Sequence, residues 1–434
     1  MNPGIIVTLM VVSLGAAAAG QRLAGQASAS TATSPGSYLF VWAGDAAEKA
    51  SDFLAVIDAS PTSPRYGAVV ASIPTGTSGT HPHHTELEMP IGGHLLANGF
   101  HAGRTWLFDL SVPLQPRILT TFDAVAGYSH PHTYLRLANG RVLATFQYRD
   151  TGATPASAAA AVPGHPSSHA AAPVPGGRLT GGLVEMDERG TVIRSGAARD
   201  AAAQAIYPYS VLPLPALDLA VSTTTDMDEK NASATSEWLQ LWRLSDLTLL
   251  KTFALPAGPR GNEHQLTGEP RLLADGTSIY IHTFNCGLYL LRDVERPRPD
   301  ARLVHAFEGK NCGVPIRTGH FWLQTVPDAH AVVVLDIADP EHPREVSRMA
   351  MGDDEEPHWL AIDPTGRRVV VNSGGYSKGN RLFVLDFDPA SGRLAMDTRF
   401  RDAGSDRAGI DLGDKAWPHG FRGRAMPHGT VFSR

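Results

Sequence analysis

The chain has 434 residues, 43% hydrophobic and 18% charged, with 43 glycines, 32 prolines and a formal net charge of -6. Such a composition suits many short strands joined by tight turns better than long amphipathic helices. The slight acidity supplies no sustained basic field, which excludes nucleic acid or an anionic membrane as an electrostatic partner.

In chain order, Gly4 to Gly20 is an apolar, Ala-rich run followed by a Ser/Thr/Ala stretch to Ser37. Residues 1–37 therefore read as a secretory signal and a disordered spacer, and the protein is expected in the periplasm or outside the cell. No Lys or Arg precedes the run and Arg22 follows it, so an uncleaved anchor is the competing reading. The run is shorter than the roughly 20 residues that span a bilayer, so a mature form without membrane integration is expected.

From residue 38 a repeat takes over. Apolar strands end near Asp58, Asp109, Asp187, Asp246, Asp293, Asp336 and Asp386, as in FLAVID at 53–58 and AVVVLD at 331–336. Each is followed by a turn and a shorter mixed strand, such as PRILTTF or REVSRMA. Seven paired copies about 40 to 50 residues apart, with two longer steps, predict an all-β, seven-bladed β-propeller occupying 38–434 as one domain. Before the Asp-ending strand several units carry two strands joined by a Gly turn, as in HTYLRLANGRVLATF from His132 and HWLAIDPTGRRVVVNS from His358. Four strands per blade follow. The first unit lacks its His-led strand while the last residues, PHGTVFSR, form a strand without a blade, so joining the two closes the ring and removes an exposed edge. Residues 151–180, rich in Ala, Pro, Ser and Gly, read as a mobile insertion in the second blade, with His165 and His169 solvated.

Inner strands of a propeller run along a central channel, so residues at the same place in each unit face a common axis. His83 and His84, His130 and His132, His264, His320, His358, and His419 or His428 begin these strands, with Tyr207 and Tyr209 at the corresponding place. Neutral imidazole is a good ligand for copper, zinc and iron, and a cluster without thiolates fits copper or zinc better than calcium or magnesium. Many such steps merely start a strand, but the doubled His83-His84 beside His130 and His132 points to a metal site. Glu86 and Glu263 are candidates to orient a ligating histidine or to act as a base. His94, His101, His282, His305, His330 and His342 have no repeat-wide counterpart and read as surface or packing residues. Cys286 and Cys312, each in the string Asn-Cys-Gly, leave two readings open, a disulfide between neighbouring repeats or two buried thiols.

The string DFLAVIDASPTSPRYGAVVASIP at 52–74 resembles a stretch of the selenium-binding protein / methanethiol oxidase family. There an Asp-Tyr-Leu-Ala strand and a Pro-Ser-Pro turn lead to a His-His step, which is His83-His84 here. HTYLRLANGRVLATF is similar to the family's His-Thr-Thr-His segment, GGLVEMD at 181–187 to its Gly-Gly-Phe-Leu-Leu-Asp segment, and Pro418-His419 to its closing Ala-His-Glu. The resemblance implies a copper ion held by His83, His84, His132 and His419, and copper-dependent oxidation of a small thiol such as methanethiol. A non-catalytic propeller that binds a protein or other ligand across its open face is the alternative.

Overall fold

Along each strand successive side chains enter two different cores. Leu39, Val41 and Ala43 pack with Val370 and Leu382, whereas the intervening Phe40 and Trp42 pack with Leu95 and Trp106. This period-2 alternation between two buried faces is why the strands read as uninterrupted apolar runs. Seven such clusters occur, one between each pair of adjacent sheets, so the core is a ring of inter-sheet layers. The structure is a computed structural model that describes residues 1, 34–149, 179–199, 206–227, 236–374 and 378–434.

Among the described residues seven antiparallel sheets of four or five strands are the blades of a seven-bladed propeller, and a two-stranded hairpin stands beside them. Each Asp-ending run is the third strand of its blade, from Phe53–Asp58 in the first to Arg381–Phe387 in the seventh. The C-terminal strand Ala425–Phe432 pairs with Tyr38–Asp45, with Leu39 opposite Phe432 and Ala43 opposite Pro427, and so becomes the innermost strand of blade one. The other inner strands are Pro82–Thr85, Tyr128–Arg136, Pro208–Leu214, Thr267–Leu272, Ile316–Thr318 and Trp359–Ile362. No helix of the described residues is long and apolar enough to cross a membrane.

Most of the leader segment 1–37 lies outside the described residues, which resume at Ser34. Of the Ala/Pro-rich stretch 151–180 only residues 179 and 180 are described, at the start of Leu179–Met186 in blade three. It is therefore flanked by strands of the third blade rather than the second, because the blade completed by the C-terminal strand counts as the first.

Polar side chains on second strands tie each blade to its neighbour's inner strand. Asn98 Nδ2 donates to Pro131 O at 2.6 Å, Gln147 Nε2 to Pro208 O at 2.8 Å, and Asn372 Nδ2 to His428 O at 2.7 Å. Such bonds satisfy backbone groups that the inner strands cannot pair on their channel side. Between blades five and six a disulfide joins Cys286 to Cys312, which decides the open pairing question in favour of the bond.

Candidate metal centre

Inner strands begin with a repeated step in which proline precedes the channel-facing residue: His81-Pro82-His83, His130-Pro131-His132, Tyr207-Pro208-Tyr209, Glu356-Pro357-His358 and Met426-Pro427-His428. Proline has no N–H to offer a ladder, so it is tolerated at a strand's start or, as with Pro131 and Pro427, within an innermost strand that has no partner on its channel side. Because the step recurs at one place in the blade, His83, His132, Tyr209, His358 and His428 converge from adjacent blades. The residues ahead of two of these prolines, His81 and His130, hold φ of 56° and 57°.

His83, His84 and His132 form the tightest group: one ring nitrogen from each lies within 4.8 Å of the others, and all three side chains are buried. Ring centroids are 4.6 Å apart for His83–His84, 4.9 Å for His83–His132 and 4.1 Å for His84–His132. His428 stands beside them, 4.2 Å from His83 and 5.5 Å from His84, with His358 a further 4.8 Å from His428. The aromatic walls are Trp359, 5.1 Å from His84, and Phe100, 5.8 Å from His83.

One tautomer is fixed by its partner. His132 Nδ1 lies 2.9 Å from the carbonyl oxygen of Tyr209, which can only accept, so Nδ1 carries the proton and Nε2 presents a lone pair. Thr133 Oγ1 and Thr145 Oγ1 donate to the same carbonyl at 3.0 and 2.8 Å and hold it in place. His132 Nε2, His83 Nδ1 and both ring nitrogens of His428 are buried without a hydrogen-bond partner in the protein. Buried polar atoms in folded proteins are nearly always paired, so the unpartnered His132 Nε2 and His83 Nδ1, on rings grouped with that of His84, fit a bound cation. Tyr209 also sets its hydroxyl 3.3 Å from His84 Nε2.

Burial keeps these rings neutral. It lowers the His132 pKa to about 3 and the His358 pKa to about 4. His83, His84 and His428 are held well below the usual imidazole range by burial first and by their neighbouring imidazoles second. An all-nitrogen, uncharged donor set without carboxylate or thiolate matches copper or zinc, and not calcium or magnesium.

The structure brings His83, His84 and His132 together but not His419. That residue sits on a separate hairpin, Lys415–Ala416 with Arg422–Gly423, where Nδ1 lies 2.7 Å from Ser72 Oγ and the ring packs 4.7 Å from Phe53. His428 occupies the place expected of His419, since the strand that closes the ring is the later of the two Pro-His segments. His320 lies exposed in the turn after Ile316–Thr318, so it does not start an inner strand. His130 packs 4.9 Å from Tyr148, with Nδ1 3.2 Å from Ser129 Oγ, and His264 places Nε2 3.2 Å from Glu237.

Neither candidate carboxylate bonds to an imidazole. Glu86 accepts Arg136 Nε at 2.7 Å and the Leu96 N–H at 2.9 Å, an ion pair between blades two and three. Burial leaves its pKa raised despite that guanidinium. Glu263 accepts the N–H groups of Arg260 and Asn262. Burial works to raise its pKa, but those N–H groups and the Arg260 charge hold it down. Sequence reasoning passed over His81, Phe100 and Arg271, whose guanidinium donates to Glu269 Oε2 at 2.8 Å and whose charge, after burial and the neighbouring imidazoles, helps hold the His84 pKa down. His81 was legible in the shared His-Pro-His step, whereas nothing local marked the other two.

These features define a seven-bladed propeller with a histidine group at its inner strands that could hold a metal ion. No protein-family model and no curated protein matches the chain. Among solved structures, the chain is similar to a hypothetical selenium-binding protein from Sulfolobus tokodaii, at 17% identity over 93% of this chain and 94% of that one, with a TM-score of 0.67. It is also similar to a periplasmic gluconolactonase of Pseudomonas aeruginosa, at 14% identity over 92% and 99% of the two chains and a TM-score of 0.59. At these identities the likeness is one of fold.

Proposed function

We propose that this chain is an exported copper-dependent oxidase of small thiols, with the ion held by His83, His84 and His132 and zinc as the alternative ion. The observation that carries the reading is the trio of buried imidazole nitrogens within 4.8 Å of one another. The selenium-binding protein among its structural neighbours supports it, since selenium and thiol sulfur share a preference for soft metal ions. Copper, when bound, supplies a Lewis acid for a thiolate and a redox partner for dioxygen.

The chain's own residues do the rest. Tyr209 O fixes the His132 tautomer, so its Nε2 is aimed inward before any ligand arrives. Phe100 and Trp359 wall the imidazoles with apolar surface and keep water from them. The Tyr209 hydroxyl is placed to exchange a proton next to His84. For methanethiol the balance is one thiol, one dioxygen and one water giving formaldehyde, hydrogen sulfide and hydrogen peroxide. The carbon–sulfur bond breaks, and the carbon loses two electrons that reduce dioxygen to peroxide.

Elemental analysis of protein purified with copper and zinc both available tests the metal. Near-stoichiometric copper that disappears in the His83→Ala, His84→Ala double variant, together with peroxide release on adding methanethiol, is expected. Intact protein without metal would sink the oxidase reading and leave a non-catalytic binding propeller.

A further inference from the structure

The buried group is connected to solvent by imidazoles. His101, exposed in the turn that follows Phe100, lies with Nε2 3.0 Å from Nδ1 of His81, which is half-buried just before the inner strand of the same blade. The His81 ring is 5.5 Å from His83, and His83 is 4.6 Å from His84 and 4.2 Å from His428. An unbroken file of rings therefore runs from the rim to the centre, each within reach of the next.

The outer pair is built, not adventitious. The Phe100 N–H donates to His81 O at 2.9 Å and the His101 N–H to Thr80 O at 3.1 Å, locking the two loops together. Thr80 is in turn clamped by the buried Asp52, whose Oδ2 accepts its N–H at 2.8 Å and its hydroxyl at 2.6 Å. His81 is kept at φ 56° by this scaffold, a conformation that costs a non-glycine residue about 1 to 3 kcal/mol and persists only where the surroundings impose it. Phe100, only 3% exposed, sits over His83 and His132 and shuts the direct path.

We propose that His101 and His81 form an outer loading site for the centre. A cation with affinity for neutral imidazole, copper above all, is captured by this pair from solvent and handed through His83 to the buried group. The inference rests on the reading of His83, His84 and His132 as a metal centre. Two facing ring nitrogens suit transient capture: they are too few to retain an ion against the three-nitrogen group behind them.

The test compares loading rate with final content. Metal-free full-length protein is mixed with cupric ion, loading is followed by quenching of tryptophan fluorescence beside His84, and copper is counted at equilibrium. His101→Ala is expected to load about tenfold more slowly, within the span over which association rates vary among variants of one site, yet reach the wild-type copper content. His81→Asn, a residue that tolerates the same backbone angle, should behave alike. Wild-type loading rates in both variants would overturn the proposal, as would a reduced final content in His101→Ala, which would make that residue part of the holding site. Absence of copper from the wild-type protein would instead remove the centre itself, an outcome read from content and not from rate.

Discussion

The two sides of the ring use inner-strand polar groups in opposite ways. Blades one, two, three and seven bring His428, His83, His84, His132 and His358 together, several with ring nitrogens bonded to nothing in the protein. Blades four, five and six bring polar groups joined in one network, although Glu269 Oε1 and His282 Nε2 stay without a partner. Ser210 Oγ and Arg271 Nη1 both donate to Glu269 Oε2, at 2.7 and 2.8 Å, and Arg271 Nη2 donates to Pro315 O at 3.0 Å. One side is cross-linked across three blades, with the disulfide behind it, and the other keeps its lone pairs for a ligand. Holding a site needs a rigid frame as well as donor atoms, and here the two tasks are divided around the same axis.

The largest expected effect breaks the comparison at its donor side. Replacing both His83 and His84 by Ala should take bound copper from about one per chain to background while circular dichroism shows the strands intact, because imidazoles are the ligands and not the staples. Retained copper would show that the donors lie elsewhere. On the opposite side, Arg271→Met strands a buried carboxylate, and urea unfolding should register a loss of about 4 kcal/mol with copper content unchanged. A companion Glu269→Leu change should restore most of that loss, since the stranded charge is what costs.

Cys286→Ser with Cys312→Ser opens a loop of sequence separation 26 and should destabilise by about 3 kcal/mol, again without loss of copper. Equal unfolding midpoints with and without reductant would contradict the bond. The smallest effect, counted per residue and per pH unit, is that of pH. His132 and His358 have folded pKa values of about 3 and about 4, below the ordinary imidazole value. A depressed folded value means their contribution is complete above about pH 6.5 and is lost as pH falls toward the folded values, because the unfolded chain binds protons the fold refuses. Each should lower the stability of metal-free protein by about 1.4 kcal/mol per pH unit within that window. A melting temperature that stays flat from pH 7 to pH 5 would contradict burial of neutral imidazoles.

The propeller was legible because each third strand is buried on both faces and stops at an Asp-bearing turn, leaving a run such as AVVVLD that little else produces. His83, His84 and His132 were legible for a related reason: they stand where inner strands start, the doubled His83-His84 beside His130 and His132. The choice of His419 over His428 followed the family likeness of Pro418-His419, although the ring-closing strand PHGTVFSR already carried His428, and its pairing with residues 39–45 puts His428 on the inner strand. His320 misled because the inner strand of blade six is just Ile316–Thr318, so the histidine falls past its end. Phe100 and Arg271 act across blades, through distances that no local pattern encodes.

Ring closure has a kinetic consequence. Leu39 meets Phe432, so blade one is completed by contacts that span nearly the whole described chain, the slowest kind to form because the intervening loop must be ordered first. His83, His84 and His132 belong to blades whose contacts are far more local. During folding the triad can therefore assemble in an open arc of blades, and His428 arrives only when the last strand zips into place.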